Sequence, residues 1–291
     1  MVAPTFDLQS HSLCSDGALP PAEVVALAAQ AGVELLALTD HDTVDGVEEA
    51  LAAGTAHGVT IVPATEISAT HGRHEDLHVL GYGIDHRDHQ LAERLRAARR
   101  DRAQRAERMG ERLRELGFEL EPGQLDERRA ANRPIGRPHL AQAALAHPAN
   151  APRVREEGID DVSSFIPAYL VPGAPAYLPR TFPAADEAIG WIHDAGGMAV
   201  WAHPFWDLDA GDEVLRSIDA FRAHGLDGVE CFYPTHDAGQ ARLLADRCAE
   251  LGLLRTGSSD FHGPGHRLFG AFRAFELHGC APELGPLAAA R

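Results

Sequence analysis

The chain has 291 residues, enough to bury a sizeable core in one large domain or in two. Hydrophobic content of 45% beside 24% charged residues excludes global disorder, and a formal charge of −17 argues against binding along duplex nucleic acid. All 26 basic residues are arginine, which excludes Schiff-base chemistry, a Walker-type phosphate lysine and a carboxylated-lysine metal bridge.

In chain order, short runs rich in Val, Ile, Leu and Thr predict strands over residues 5–10 and 34–39, each followed by a helix, over 21–31 and 44–57. Gly32 and Gly58 are placed to end those helices. Strands over 60–65 and 77–82 follow, and after residue 85 the strand rhythm stops. Leu91, Leu95, Ala98, Ala106, Met109, Leu113 and Leu116 fall at helical spacing and predict one long helix over 90–116. Helical pieces over 138–146 and 159–170 lie between Pro-rich breaks. Strands resume over 198–202, 228–232 and 253–258. Alternating strands and helices predict an α/β fold with a largely parallel sheet. Seven strands with polar residues at their ends favour a barrel over an open sheet. The expected organisation is a first barrel segment over 1–85, a helical insertion covering the site over 86–178, and a second barrel segment over 179–291.

No apolar run approaches the ~20 residues of a membrane helix, and the first twelve residues carry neither a basic nor an apolar leader. Cys14, Cys231, Cys248 and Cys280 form no CxxC pair and read as reduced thiols. A cytoplasmic protein without a membrane partner is expected.

Most of the strands end on a side chain able to bind a metal. The first gives Gln9 and His11, with Asp16 in the next loop; the second runs into Asp40, His41 and Asp42, and the third into Glu66. The fourth carries His78, the fifth runs into His203, and the last into Asp260 and His262. One histidine at a strand end is usually structural, but repetition at so many strand ends points to a metal centre at the C-terminal end of a barrel. Mixed imidazole and carboxylate donors suit Mn, Zn or Fe, and the donor count predicts two or three divalent ions, Mn foremost. Such a cluster acidifies a shared water and clamps the oxygens of a phosphoryl transfer, so attack by a metal-activated hydroxide is expected, with Glu66, His203 and Asp260 central to it.

The segments Asp7-Leu8-Gln9-Ser10-His11, Ser15-Asp16-Gly17, Asp40-His41-Asp42, Glu66, His78, Ala202-His203-Pro204 and Ser259-Asp260-Phe261-His262 together resemble the PHP (polymerase and histidinol phosphatase) family. The resemblance implies a distorted seven-stranded (β/α) barrel and a two- or three-metal centre. It implies that His11, Glu66 and Asp260 hold one ion, that Glu66, His78 and His203 hold a second, and that Asp16, His41 and His262 hold a third. Where the family usually has the first histidine of Asp-x-His-x-His, this chain has Gln9, so the first ion is expected to be the least firmly held.

Within the insertion, Arg102-Ala103-Gln104-Arg105 and Gly136-Arg137-Pro138-His139 resemble the branch that removes the 3′-phosphate from nucleoside 3′,5′-bisphosphates. Some members of that branch also trim short oligonucleotides from the 5′ end. Three apart on a helix, Arg102 and Arg105 could offer two guanidinium forks to one phosphate, or could belong to a solvated face laced with acids. Arg102, Arg105, Arg137 and His139, together with Arg267 after the last metal motif, are the expected substrate contacts. A histidinol-phosphate phosphatase, a C–N hydrolase and a non-catalytic metal-stabilised module are the competing readings.

Overall fold

The computed structural model describes residues 4–130, 135–179 and 183–290. Its sheet has seven strands in sequential order: β1 (Phe6–Asp7), β2 (Leu35–Leu38), β3 (Thr60–His71), β4 (His74–Tyr82), β5 (Met198–Trp201), β6 (Gly228–Phe232) and β7 (Leu254–Gly257). The helices are α1 (Pro21–Gln30), α2 (Val47–His57), α3 (His89–Glu115), α4 (Pro122–Ala130), α5 (Arg137–Ala146), α6 (Ala151–Glu156), α7 (Val162–Tyr169), α8 (Ala185–Asp194), α9 (Pro204–Asp207), α10 (Gly211–Ala223) and α11 (Ala238–Leu251).

Parallel pairing joins β1 to β2, β2 to β3, β5 to β6 and β6 to β7, but β4 runs antiparallel to both neighbours. The expectation of a largely parallel sheet therefore fails at β4. Only Gly72 and Arg73 separate β3 from β4, too few for the crossover that parallel strands need, so the chain turns back as a hairpin with Gly72 at φ 58°. The third strand is correspondingly longer than its predicted six residues.

Beyond its two ladder residues, the first strand's backbone continues extended and meets the end of β7. Leu8 N–H donates to Gly257 O at 3.3 Å, Phe261 N–H to Gln9 O at 3.3 Å, and His11 N–H to Phe261 O at 2.8 Å. These bonds nearly close the sheet into a barrel and bring the first and last polar motifs side by side.

Helices α1 and α2 cover β2 and β3 through Val24, Val25, Ala28, Leu36, Leu38, Ala50 and Ile61. A Cβ at Gly54 would stand 2.4 Å from Ile61 Cγ1, so only glycine lets α2 lie this close to β3. Gly58, left-handed at φ 71°, ends α2. Burying a side chain the size of Leu36 stabilises the fold by about 1.5–3 kcal/mol.

The chain divides into two compact units, Met1–Arg96 with Pro183–Arg291, and Ala97–Phe182. The second is all helical. The apolar stripe Ala106, Met109 and Leu113 of α3 packs there with Phe118, Leu125, Leu140, Phe165 and Tyr169. Helix α3 includes Arg96 in its interior, and no Gly or Pro lies between His89 and Met109. No helix among the described residues is long and apolar enough to cross a membrane.

Candidate metal centre

Eight side chains from the strand ends of the first unit converge. His11 Nε2 lies 3.0 Å from Asp260 Oδ1 and 3.1 Å from Glu66 Oε2. Glu66 Oε2 also stands 3.5 Å from His41 Nδ1, while Oε1 is 2.8 Å from His78 Nδ1 and 3.3 Å from His203 Nε2. Asp16 forms the outer edge, with its oxygens 3.5 Å from His262 Nε2, 3.6 Å from His41 Nε2 and 3.7 Å from His11 Nδ1. Three groups of donor atoms result: His11 with Asp16, His41 and His262; His41 with Glu66 and His78; and His11 with Glu66 and Asp260.

The donor set fits divalent ions on two observations. Bonds of roughly 2.0–2.2 Å to N and O donors put two ligands of one ion roughly 3–3.5 Å apart, and most of these separations fall there. In addition, His11 Nε2, His41 Nδ1 and Asp260 Oδ1 are buried yet make no hydrogen bond, although the opposite charges lie close enough. Buried polar atoms are normally satisfied by each other. Here they belong to groups whose donor atoms lie within 4.8 Å of one another.

Every expected ligand is brought into the cluster. His203 Nε2 lies 3.3 Å from both Glu66 Oε1 and His78 Nδ1, while the donor group around those two atoms is completed by His41. His41 presents one nitrogen to Glu66 and the other to Asp16, so it faces two donor groups and not one.

Charge follows the geometry. Burial disfavours the Glu66 carboxylate, yet His41, His78, His11 and His203 hold its pKa well below the ordinary value. Burial likewise opposes protonation of His11 and His203; the negative charge of the neighbouring carboxylates prevails, raising His11 well above 6.5 and His203 to about 9. For His41 burial wins and lowers the pKa to about 4.

Residues that the sequence reading did not assign as ligands hold this cluster in place. Tyr233 donates its hydroxyl to Asp260 Oδ2 at 2.8 Å. Glu230, fully buried, accepts the His203 backbone N–H at 2.9 Å and the Ser258 hydroxyl. Asp40 organises the first loop, accepting from Ser12 N–H, Ser12 Oγ and Ser15 Oγ at 2.6–2.7 Å. Asp7 accepts Ser259 N–H at 2.8 Å and so sets the start of the last motif. His203 and Asp260 adopt left-handed backbone, φ 30° and 53°, a cost that non-glycine residues bear mainly at functional sites. In sequence, Asp7 and Asp40 stand in the motifs themselves, and Glu230 shows as a lone acid inside an otherwise apolar strand.

Of the expected substrate contacts, Arg102, Arg105, Arg137 and His139 belong to the helical unit. Arg105 is buried, with Nε donating to Leu178 O at 2.7 Å and its guanidinium 5.5 Å from the Tyr177 ring centroid. Its Nε is thus occupied within the fold, and Arg105 is not the solvated partner of half-buried Arg102 that the helical spacing alone suggested. His139 Nδ1 accepts the Gly136 N–H at 2.9 Å at the start of α5. Arg267 is exposed.

The PHP domain matches residues 7–120. A 3′,5′-nucleoside bisphosphate phosphatase from Chromobacterium violaceum is 37% identical over 264 residues, spanning 89% of this chain and 88% of that protein. The chain belongs to the PHP family. A 5′-3′ exoribonuclease from Haemophilus influenzae is 32% identical over 260 residues, 89% of this chain and 90% of that one. Among solved structures, an amidohydrolase from Chromobacterium violaceum with bound sulfate superposes with a TM-score of 0.79 at 34% identity, covering 99% of this chain and 97% of that one. A protein assigned as a metal-dependent phosphoesterase from Bifidobacterium adolescentis gives 0.72 at 28% identity, covering 99% and 96%. This PHP chain is a metal-dependent hydrolase of phosphoester bonds.

Proposed function

We propose that the protein removes the 3′-phosphate of nucleoside 3′,5′-bisphosphates in the cytoplasm, and that the same centre trims short oligonucleotides from the 5′ end. The observation that carries this reading is Glu66, fully buried, with each carboxylate oxygen turned to a different group of imidazoles. The Chromobacterium phosphatase and the Haemophilus exoribonuclease support the substrate class.

Two or three divalent ions, Mn first, are assigned to His11, Glu66 and Asp260, to Glu66, His78 and His203, and to Asp16, His41 and His262. Ions bound there supply Lewis-acid polarisation of a phosphoryl oxygen and make water a nucleophile near neutral pH. The chain's own part is orientation. Glu66 spans two groups, His203 is fixed through its backbone by Glu230, and Asp260 is fixed by Tyr233. Arg102, Arg105, Arg137 and His139 are assigned the 5′-phosphate and Arg267 the scissile one, as charge-assisted hydrogen-bond donors.

The test is phosphate release with added Mn²⁺ from adenosine 3′,5′-bisphosphate, histidinol phosphate, sugar phosphates and a cyclic phosphodiester. The bisphosphate is expected to give the highest kcat/KM. Preference for another substrate overturns the assignment. Glu66→Gln and His203→Ala are expected to lower kcat by several orders of magnitude; near-normal turnover in both, with ion content unchanged, overturns the mechanism.

A further inference from the structure

Among the described residues, three large apolar side chains are exposed: Leu13 at 38%, Trp206 at 50% and Leu268 at 47%. All three follow closely on an expected metal ligand in the chain. Leu13 lies between His11 and Asp16, Trp206 three residues after His203, and Leu268 six residues after His262. Scattered exposed apolar residues need no explanation, but a set confined to the rim of one site is a binding surface.

Trp206 is the best-fixed member of the rim. It stands on the short helix α9, opened by His203 with Pro204 at its first position, and its N–H donates to His203 O at 2.8 Å. Its indole packs on Phe269 at 5.6 Å and on Tyr233 at 6.3 Å, both edgewise. These two rings lead back to the centre. Tyr233 lies 5.1 Å from the His203 ring and bonds Asp260, and Phe269 lies 5.7 Å from the His262 ring. His266 stacks on the same Phe269 at 5.0 Å and 12°. A continuous aromatic wall therefore runs from the ligand imidazoles outward and ends on an indole half open to water. The indole stands two ring contacts from His203, through Tyr233.

We infer that Trp206 is the platform on which the substrate's nucleobase stacks, making this enzyme selective for nucleotides over other phosphoesters while leaving it tolerant of which base is present. The inference rests on the nucleotide reading above. A flat, neutral heterocycle suits an exposed indole better than a sugar or an imidazole alcohol does, because every base has a π-face and stacking needs no hydrogen-bond code.

The experiment compares adenosine 3′,5′-bisphosphate with the base-less ribose 3,5-bisphosphate in wild type, Trp206→Ala and Trp206→Phe, each loaded with Mn²⁺. Wild type is expected to prefer the nucleotide about 5- to 150-fold in kcat/KM, the range for one stacked base. Trp206→Ala should bring the nucleotide down to the base-less level without affecting the latter, and Trp206→Phe should restore most of the preference. Equal loss on both substrates, or no loss on either, overturns the inference. In parallel, calorimetry of adenosine 5′-phosphate and ribose 5-phosphate binding reads the platform without turnover. Tighter binding of the nucleotide, lost in Trp206→Ala, is expected, and equal affinities in wild type overturn the platform. If wild type turns over neither bisphosphate, the substrate reading falls and this binding comparison still decides the stacking.

Discussion

Gln9 donates an amide N–H to Glu66 Oε2 across 3.0 Å, while its own carbonyl oxygen lies 3.3 Å from the Ser258 hydroxyl. Turning the amide over would set two oxygens against each other at 3.0 Å, so the carboxylate fixes its orientation. A line of polar contacts then runs from Glu66 through Gln9 and Ser258 to Glu230, which holds the His203 backbone. The side chain at the position of a family histidine thus presents N–H to Glu66. Gln9→Leu is expected to keep the number of bound Mn²⁺ ions. Gln9→His, which brings an imidazole lone pair, should raise that number or tighten the first ion. Elemental analysis and chelator resistance measure both; loss of an ion in Gln9→Leu, or no change in Gln9→His, contradicts this account.

Metal binding should release protons at pH 7. In ion-free protein, burial opposes protonation of His203 but Glu66 raises its pKa to about 9, and His11 is likewise raised well above 6.5. Ligation requires neutral imidazole, so each ion competes with these protons. Apparent affinity should therefore climb with pH until about 9. The stability that the protonated His203 lends the ion-free fold has the opposite trend, being present below about 6.5 and lost as pH rises through about 9. Calorimetric titration with Mn²⁺ in two buffers of different ionisation heat counts the protons; heats independent of buffer would refute the prediction.

Specificity for the second phosphate should reside in the arginines of the helical unit. A charge-assisted hydrogen bond is worth about 1.5–3 kcal/mol, roughly ten- to a hundred-fold in kcat/KM. Arg102→Ala and Arg137→Ala are expected to weaken turnover of a 3′,5′-bisphosphate by that factor and of a simple 3′-monophosphate far less. Equal losses on the two substrates would assign these arginines to the fold or to the scissile phosphate. Arg105→Ala should differ from both by also lowering Tm, because Arg105 is buried and its Nε holds the Leu178 carbonyl.

A test of the supporting residues is Tyr233→Phe. It removes the only hydroxyl bonded to Asp260 Oδ2 in the described structure while keeping the ring that backs His203 and Trp206. Ion affinity should fall about 10- to 100-fold, the usual cost of losing a partner behind a ligand, with little change in Tm. Unchanged affinity by calorimetry would show that Asp260 is held by other contacts.

Sequence alone placed the strands, the long helix and the donor residues of the candidate centre. Helical spacing in 90–116 and apolar runs such as Gly228–Phe232 are local signals, and β6 has the predicted bounds. His11, Asp16, His41, Glu66, His78, His203, Asp260 and His262 were legible because imidazole and carboxylate recur at strand ends, where a barrel gathers them. Only the tertiary structure decided how those groups face one another. The reversal at β4 depends on two residues too few for a crossover, and barrel closure joins Gln9 to Ser258 across a separation of 249 residues. Whether Gln9 turns oxygen or nitrogen to the cluster, and whether Glu230 and Tyr233 support it, depends on partners distant in sequence. Periodicity reports which face a residue occupies, and says nothing of which lone pair or proton will meet it there.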